Sequence, residues 1–517
     1  MRVTRWPALI TFLALIIGAS LIEGPSDPPT SEILLERPIS SVAGSGSDLA
    51  SIWYCVSGTV GGAGIANHEI ILGNKSNNAA NIALTITPVL APRKSVTTTT
   101  SEEKGISPEA IPIKTVLTSI VVPPRTVKSV TLADIPKVGG EFAAAMVESD
   151  VGDLIVEHRV VGTTGMSQSN CQSYASEEWY FAGGTTREGV REVISVFNPY
   201  ADSAVIDMTF VADGRIRRPV AFSGLVVPPR SLLPIDITDA VTLSDIVSTV
   251  IKARNGRIVA ERLLIMGDEF TPNGLSLEAG VPSLASLWVF PGGINTSENS
   301  GILVYNPSET QEAGVDIEIY SDFAGAIFIE PISLLVAPGS TETVILGGNQ
   351  RDSISRTALD GSSRVPSGIP NWIVVRGVSG PSVAAERLVL SDASFPQTSS
   401  SGFGVDVAAQ SHVFVSTGGD DRIAIVHPSG DRLTQLQLFA FSDGEVYESL
   451  PFEISAKARK VISLQQFGVP SNSIVQVVSS EPVLIERMVP SEKGNYWTRV
   501  IPAASSVMEP NLPYYAE

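Results

Sequence analysis

The chain has 517 residues, of which 43% are hydrophobic and 17% charged, and its net charge at pH 7 is −19. That length exceeds a single hydrophobic core and predicts three or four domains. The negative field repels phosphate backbones and anionic lipid head groups, which argues against nucleic acid as a partner. The apolar content is too high for a disordered chain and is typical of an ordered extracellular β-protein.

The N-terminus predicts export from the cytoplasm. Arg2 and Arg5 precede residues 7–22, which are almost wholly apolar and contain a small-residue patch at Gly18–Ser20. A basic start followed by a short apolar stretch is typical of a secretory signal. The run is short for a membrane span, so a cleaved signal and a retained membrane anchor both stay open for residues 1–25. Residues 26–50 are predicted to be a linker, and the chain is expected to be secreted or anchored by its N-terminal segment.

Four internal repeats follow, because the same landmarks recur in the same order. Each repeat opens with a short strand that holds Trp53, Trp179 or Trp288 in the first three and His412 in the fourth. A Gly-Gly pair follows, interpreted as a turn or bulge. A second strand then ends at a turn, with the residue Asn74, Asn198, Asn306 or His427. Alternating apolar residues in the next strand predict one buried face.

Each repeat closes on a strand with an acid–base pair. The segments are VEHR at 156–159, AER at 260–262, AER at 385–387 and IER at 485–487. Their glutamates lie 104, 125 and 100 residues apart, which is the size of one sandwich domain. The sequence therefore predicts an all-β protein of four tandem antiparallel β-sandwich repeats after the N-terminal segment, over residues 51–170, 176–283, 284–393 and 410–505.

The two cysteines, Cys55 and Cys171, bracket the first repeat. A single pair in an exported chain most simply forms one disulfide. It would join the start of the first repeat to its exit.

The first repeat resembles a known family, the sensory-rhodopsin-transducer-like domains. The resemblance lies in AAAMVESDVGDLIVEHRVVG (residues 143–162), in the opening tryptophan, in the strand that ends in asparagine, and in the PPR-type segment (123–125). The tandem arrangement looks like that of secreted actinobacterial proteins of unknown function. The resemblance implies small all-β sandwiches that form homotetramers and bind small molecules such as sugars. Four copies in one chain would then pack as an internal pseudo-tetramer, or else as separate beads, and the oligomeric state of the chain stays open.

Two sets of residues are candidates for ligand binding. The opening tryptophans (Trp53, Trp179 and Trp288) have rings that stack on sugars or, alternatively, plug the core. The closing pairs offer planar groups for hydroxyls and carboxylates: Glu157 with His158, Glu261 with Arg262, Glu386 with Arg387, and Glu486 with Arg487. Neighbours on a strand point to opposite faces, so the alternative for these pairs is a structural role across the sheet.

No enzymatic motif, metal-ligand spacing or cofactor motif is present in the sequence, so no catalytic residue, metal or cofactor is predicted. The preferred function is a non-catalytic cell-envelope protein that binds a glycan, a small molecule or a protein partner such as another envelope protein. A purely structural surface spacer and, third, a glycan-active enzyme are the alternatives.

Overall fold

The computed structural model describes residues 51–502 apart from 61–64, 91–92, 95–113, 163–164, 267–273, 295–298, 323–329, 347–368, 391–398, 418–420, 429–432 and 490–495. Over these residues the chain is nearly all β-strand, which confirms the all-β prediction. The predicted signal or anchor segment and the linker (1–25 and 26–50) lie outside the described residues. No helix among the described residues is both long and apolar enough to cross a membrane.

Repeats 1 and 2 each consist of two antiparallel sheets, which we call the opening sheet and the closing sheet. The opening sheets are β1 (Ser51–Cys55), β7 (Phe142–Ser149), β3 (Ala80–Val89) and β5 (Val116–Val122) in repeat 1, and β10 (Glu178–Phe181), β16 (Val247–Asn255), β12 (Ala204–Ala212), β13 (Arg215–Arg217) and β14 (Leu225–Val227) in repeat 2. The closing sheets are β9 (Gly165–Asn170), β8 (Leu154–Gly162), β2 (Asn67–Asn74) and β6 (Thr126–Thr131), then β18 (Gly274–Ala279), β17 (Val259–Met266), β11 (Val190–Asn198) and β15 (Ser231–Asp236). Strand β4 (Arg93–Lys94) of repeat 1 pairs in parallel with β15 at the edge of the closing sheet of repeat 2.

Repeats 3 and 4 follow the same plan. Repeat 3 has an opening sheet of β19 (Leu287–Phe290), β24 (Asn371–Ser379), β21 (Ala313–Ser321) and β22 (Ile332–Val336), and a closing sheet of β26 (Ser399–Phe403), β25 (Ala384–Leu390), β20 (Asn299–Asn306) and β23 (Ser340–Ile345). Repeat 4 contains β27 (Ala409–Val415), β28 (Arg422–Val426), β29 (Thr434–Ser442), β30 (Glu445–Glu448), β31 (Phe452–Ile454), β32 (Arg459–Ser463), β33 (Ile474–Val489), β34 (Tyr496–Arg499) and β35 (Ile501–Pro502). Short 3₁₀ turns lie at Leu132–Asp134, Val220–Phe222 and Gln465–Phe467.

Two features of the repeats differ from the sequence prediction. The predicted repeats 3 and 4 leave out residues 394–409, but this segment contains β26, which pairs with β25 and completes the closing sheet of repeat 3. In repeats 1 to 3 the closing strand is separate from the strand before it, but in repeat 4 the two are continuous and form the 16-residue strand β33. The first part of β33 pairs with β27 and β29, and its second part pairs with β28. Four of the five residues of β26 are serine or glycine, so the segment lacks the alternating apolar residues that predict a strand.

Both faces of the closing sheets are buried. In each of β11 and β17 all residues but one are buried. An antiparallel strand with one face in solvent would instead alternate buried and exposed residues. One face packs on the opening sheet of the same repeat, and the other packs on the opening sheet of the preceding repeat. One cluster accordingly joins Tyr54 and Phe142 of repeat 1 to Phe197 and Leu233 of repeat 2.

The repeats form a closed ring. Repeat 2 shares a hydrophobic cluster with repeat 3, and repeat 3 shares one with repeat 4. A further cluster joins repeat 4 to repeat 1 through Val413, Val415 and Ile474 against Ile71 and Ile155. Strands β9, β18, β26 and β34, which we call the central strands, contact one another in this order and back to the first. Each sandwich therefore contacts the next one, and the fourth contacts the first.

The asparagines that end the second strand tie two loops together inside each repeat. Nδ2 of Asn198 donates to the backbone oxygens of Asp202, Val227 and Pro228, and its Oδ1 accepts from the backbone N–H of Tyr200. Asn74 and Asn306 make the same set of bonds in repeats 1 and 3. This repeated side chain satisfies buried backbone carbonyls that no strand reaches.

Candidate functional site

The acid–base pairs of the closing strands meet at the interfaces between repeats. All eight side chains are buried, and we call them the charge ring: Glu157, His158, Glu261, Arg262, Glu386, Arg387, Glu486 and Arg487. As alternation along a strand requires, the two members of one pair do not contact each other as a site. Each glutamate instead reaches back to the preceding repeat, and each arginine reaches forward to the next one.

The interface between repeats 3 and 4 shows the full contact. Oε2 of Glu486 accepts the backbone N–H of Gly292 at 2.6 Å. The guanidinium of Arg387 reaches both oxygens of Glu486, with Nη1 at 3.0 Å and Nη2 at 2.9 Å. This fork-on-fork geometry is the strongest form of a carboxylate–guanidinium pair, and the carboxylate also caps the end of an opening strand.

The same arrangement recurs at two more interfaces. Between repeats 2 and 3, Glu386 accepts from Ala182 N at 2.8 Å and from Arg262 Nη2 at 3.0 Å. Between repeats 4 and 1, Glu157 accepts from Val415 N at 3.0 Å and from Arg487 Nη2 at 3.1 Å. The last contact joins residues 330 apart in the chain and closes the ring.

The interface between repeats 1 and 2 replaces the arginine with histidine. Glu261 Oε2 accepts from the backbone N–H groups of Val56 and Ser57 at 2.9 and 2.6 Å. Nε2 of His158 lies 3.4 Å from the other oxygen of Glu261. The interface thus keeps the carboxylate cap and has histidine in place of arginine.

A buried chain of hydrogen-bonding groups leads to this pair. Nδ1 of His68 lies 3.0 Å from Ala143 O, and Nε2 of His68 lies 2.9 Å from Nδ1 of His158. Because a carbonyl oxygen only accepts, His68 carries its hydrogen on Nδ1 and accepts from Nδ1–H of His158. Burial, and then the charge of His158, hold the pKa of His68 well below its usual range, so His68 is neutral. Nε2 of His158 then faces Glu261 at the position where an arginine faces the carboxylate at the other interfaces.

An aromatic ring lies under each arginine of the charge ring. The guanidinium carbons lie 5.5 Å from the ring centre of Phe181 for Arg262, 5.6 Å from Phe290 for Arg387 and 5.1 Å from Phe414 for Arg487. These distances fit cation–π contacts. The phenylalanines stand two residues after the opening tryptophan or histidine, a spacing that is visible in the sequence but was not assigned a role there.

Repeat 1 has a cysteine at this aromatic position. Cys55 stands two residues after Trp53 and forms a disulfide with Cys171, which confirms the predicted bridge. Cys171 follows β9 as Gly280 follows β18 in repeat 2. A Cβ on Gly280 would meet the ring of Phe181 at 2.8 Å, so the disulfide fills the space of a phenylalanine packed on glycine.

The three opening tryptophans are core residues. Trp53, Trp179 and Trp288 are at most 1% exposed. The indole N–H of Trp179 donates to Ile258 O, and that of Trp288 donates to Val383 O, within their own repeats. The rings have no face open to a sugar, which favours the core alternative over the ligand-binding one.

Two glycines allow carboxylates to approach the opening strand of repeat 2. A Cβ on Gly183 would lie 2.8 Å from Oε2 of Glu386, and a Cβ on Gly184 would lie 2.5 Å from Oε1 of Glu192. This Gly-Gly pair is therefore needed for close approach, not only for a turn. In repeat 1 the corresponding pair is Ser57-Gly58, whereas the predicted Gly61-Gly62 and Gly418-Gly419 lie outside the described residues.

Glu192 and Glu278 are buried carboxyl groups near the charge ring. Burial raises the pKa of Glu192 to about 8, although the charge of Arg262 works in the opposite direction. Burial likewise raises the pKa of Glu278 to about 7, against the effect of Arg499. At neutral pH Glu192 is therefore largely protonated, and it was not recognised from the sequence because its strand has no distinctive motif.

Replacing Glu192 with glutamine is expected to reduce the loss of stability at alkaline pH. The unfolded carboxyl ionises near its ordinary pKa of 4.5, but the folded one keeps its proton until about pH 8. The folded state thus binds more protons between these values, so the free energy of unfolding falls as pH rises through this window. Urea unfolding from pH 4 to pH 9 should show a shallower fall for Glu192→Gln than for the wild type. The exposed control Glu188→Gln should keep the wild-type slope, and an unchanged slope in Glu192→Gln would contradict the assignment.

The charge ring is arranged to hold repeats together. Its carboxylates are buried, and each accepts from a backbone N–H group and faces a cation across an interface. Within the part of the chain that the structure describes, no group of three or more histidine, cysteine, aspartate or glutamate residues is placed to hold a metal ion. The geometry thus gives the candidate residues a structural task at all four interfaces.

A comparison with protein families matches residues 140–462 to DUF5719, a family of unknown function. The chain belongs to the DUF5719 family. The match covers more than half of the chain, from the last strands of repeat 1 into repeat 4, so it spans most of the ring. No curated protein matches the sequence.

Proposed function

We propose that this DUF5719 protein is a non-catalytic binding scaffold of the cell envelope that works outside the cytoplasm. The observation that carries the proposal is the position of the charge ring. The polar groups that were candidates for chemistry are buried at the interfaces, where they bond each sandwich to the next. This arrangement leaves the loops and outer strands for binding a partner.

The disulfide and the N-terminal sequence support the location. The disulfide Cys55–Cys171 is consistent with an oxidising compartment outside the cytoplasm. Residues 7–22 supply the apolar segment of an export signal, and either cleavage or retention of that segment gives a protein outside the membrane. The proposal holds for a secreted form and for one held at the membrane by this segment.

The closed ring favours binding over spacing. A spacer extends through repeats that contact only their chain neighbours. Here Glu157 of repeat 1 bonds to Val415 and Arg487 of repeat 4, so the chain returns to its start. A ring gains little reach from four domains but presents four similar sets of loops around one axis.

We propose a cell-wall glycan as the partner, with Tyr200 and Arg230 as a contact. Tyr200 is 43% exposed, and the backbone N–H of Arg230 donates to its carbonyl oxygen, so both lie at one loop tip of repeat 2. An exposed aromatic ring stacks on a sugar, and a guanidinium binds hydroxyl or carboxylate groups. The buried tryptophans do not take this role.

Co-sedimentation with cell-wall polysaccharide tests the proposal. Residues 31–517 contain the compact unit 40–517 and omit the apolar segment. We expect saturable binding that free oligosaccharide competes away, and at least a fivefold weaker affinity for Tyr200→Ala/Arg230→Ala. Arg257→Ala, an exposed change on another loop of the same repeat, is the matched control. Failure to bind any wall fraction would reject the glycan as partner.

A further inference from the structure

Repeats 2 and 4 carry equivalent strands at the outer ends of their opening sheets. Each follows a hairpin turn with two left-handed residues, Asp213-Gly214 before β13 and Asp443-Gly444 before β30. In repeat 2 the sheet order runs from β10 to β13, and in repeat 4 it runs from β30 through β29 and β33 to β27. Both β13 and β30 are therefore edge strands, which carry backbone groups available to another strand.

The two edges have opposite charge. The edge of repeat 2 reads Arg215-Ile216-Arg217-Arg218, and the edge of repeat 4 reads Glu445-Val446-Tyr447-Glu448. All four residues of β30 are exposed, and so are Arg215 and Ile216. Asp443 in the turn before β30 and Glu453 in β31 are further exposed acids beside this edge.

Few opposite charges within the molecule offset these patches. Arg217 pairs with Asp213 at 2.9 Å, and Arg218 pairs with Glu309 of repeat 3 at 2.6 Å, both in partly exposed positions. Among the ion pairs of the described residues, none involves Arg215, Glu445 or Glu448. Arg215, Glu445 and Glu448 thus carry exposed charges, whereas Arg217 and Arg218 already have a partner in the molecule.

Each edge also exposes apolar side chains beside its charges. Val220 is 89% exposed just after β13, and Leu450 is 86% exposed just after β30. Ile216 and Val446, in the centres of the two strands, are 39% and 43% exposed. Apolar side chains between charges are the composition of an interaction surface.

We propose that the partner of each edge is a second copy of this chain. Strand β13 of one molecule would add to β30 of the next, joining two opening sheets by backbone hydrogen bonds. In an antiparallel pairing Arg215 opposes Glu448, and Arg218 opposes Glu445. Ile216 then faces Tyr447 in the centre, and opposite-charge pairs across strands stabilise the register.

The position of the repeats makes this contact head-to-tail. Repeats 2 and 4 alternate with repeats 1 and 3 around the ring, so their outer edges lie on opposite sides. A contact between two different surfaces is head-to-tail, and it forms fibres or rings instead of a twofold dimer. The inference concerns contacts between copies and does not depend on the glycan partner.

Charge reversal tests the contact. We expect the wild-type protein, residues 31–517, to form oligomers that grow with concentration in sedimentation velocity at low salt and dissociate as salt screens the charges. The variants Arg215→Glu/Arg218→Glu and Glu445→Arg/Glu448→Arg should each be monomeric, with a tenfold or greater loss of self-affinity. An equimolar mixture of the two should assemble again, because the acidic β13 of the first variant meets the basic β30 of the second, and their two intact edges also carry opposite charges.

The matched control is Lys128→Glu/Arg257→Glu, which makes the same change in net charge as the first variant at exposed positions on other strands and loops. It should assemble like the wild type, and thermal unfolding should show that every variant is folded. A wild-type protein that stays monomeric at all concentrations would overturn the proposal. The proposal would also be overturned if either reversed variant still assembled alone, or if the mixture stayed monomeric. It would be overturned as well if the protein stayed monomeric and its arginine edge bound only an anionic polysaccharide.

Discussion

Replacing Glu486 with alanine is expected to lower the free energy of unfolding by about 3–5 kcal/mol. The carboxylate holds the backbone N–H of Gly292 and both outer nitrogens of Arg387, and all of these atoms are buried. The alanine variant leaves a guanidinium charge in the interior with no carboxylate. The uncompensated charge, more than the lost attraction, is the source of the cost.

Urea unfolding at pH 7 measures this effect. The matched control is Lys252→Ala, which breaks an exposed ion pair with Glu178 on the opening sheet of repeat 2. That pair should contribute no more than about 1 kcal/mol, because exposed ion pairs are weak. A double variant, Arg387→Met/Glu486→Met, should lose less stability than Glu486→Ala alone, since no unpaired charge remains. Equal losses for Lys252→Ala and Glu486→Ala would contradict a structural role for the charge ring.

The strand pattern of each repeat was accessible from the sequence because it depends on local signals. The buried asparagine at the end of the second strand, as in Asn198, marks a turn whose carbonyls need its amide. The alternation in β12 and β21 shows one buried face, and the structure has that pattern. These features follow from contacts inside one repeat, so the sequence of that repeat contains them.

Only part of the role of the closing acid–base pairs could be predicted from the sequence. Alternation along the strand correctly separates Glu261 from Arg262 into different contacts. It does not show that the face turned away from the repeat's own core is also buried, because the covering sheet belongs to another repeat. The contact of Glu157 with Arg487 spans most of the chain, and nothing in either segment indicates the other. The opposite charges of β13 and β30 are visible in the sequence, but only the topology shows that both strands are edges.

Removing the disulfide is expected to cost about 4–5 kcal/mol, as the chain-entropy model gives for loops of this order. The bridge joins residues 116 apart, and its removal in Cys55→Ser/Cys171→Ser also leaves two hydroxyl groups in the core. Unfolding in guanidinium chloride, with and without reductant, measures the loss. Reduced wild-type protein serves as the control for the crosslink alone.

A second variant separates the crosslink from the packing. Repeats 2 and 3 fill the same place with phenylalanine on glycine, as a Cβ on Gly404 would meet the ring of Phe290 at 3.0 Å. Cys55→Phe/Cys171→Gly copies that solution and should be more stable than the double serine variant by about 1.5–3 kcal/mol, the usual gain from burying such a ring. Adding His158→Arg should stabilise it further, because the guanidinium then stacks on the introduced ring and pairs with Glu261, as Arg262 does with Phe181 and Glu386. A phenylalanine variant no more stable than the serine variant would mean that the first repeat has diverged too far for the packing of its neighbours, and that the bridge itself holds it in the ring.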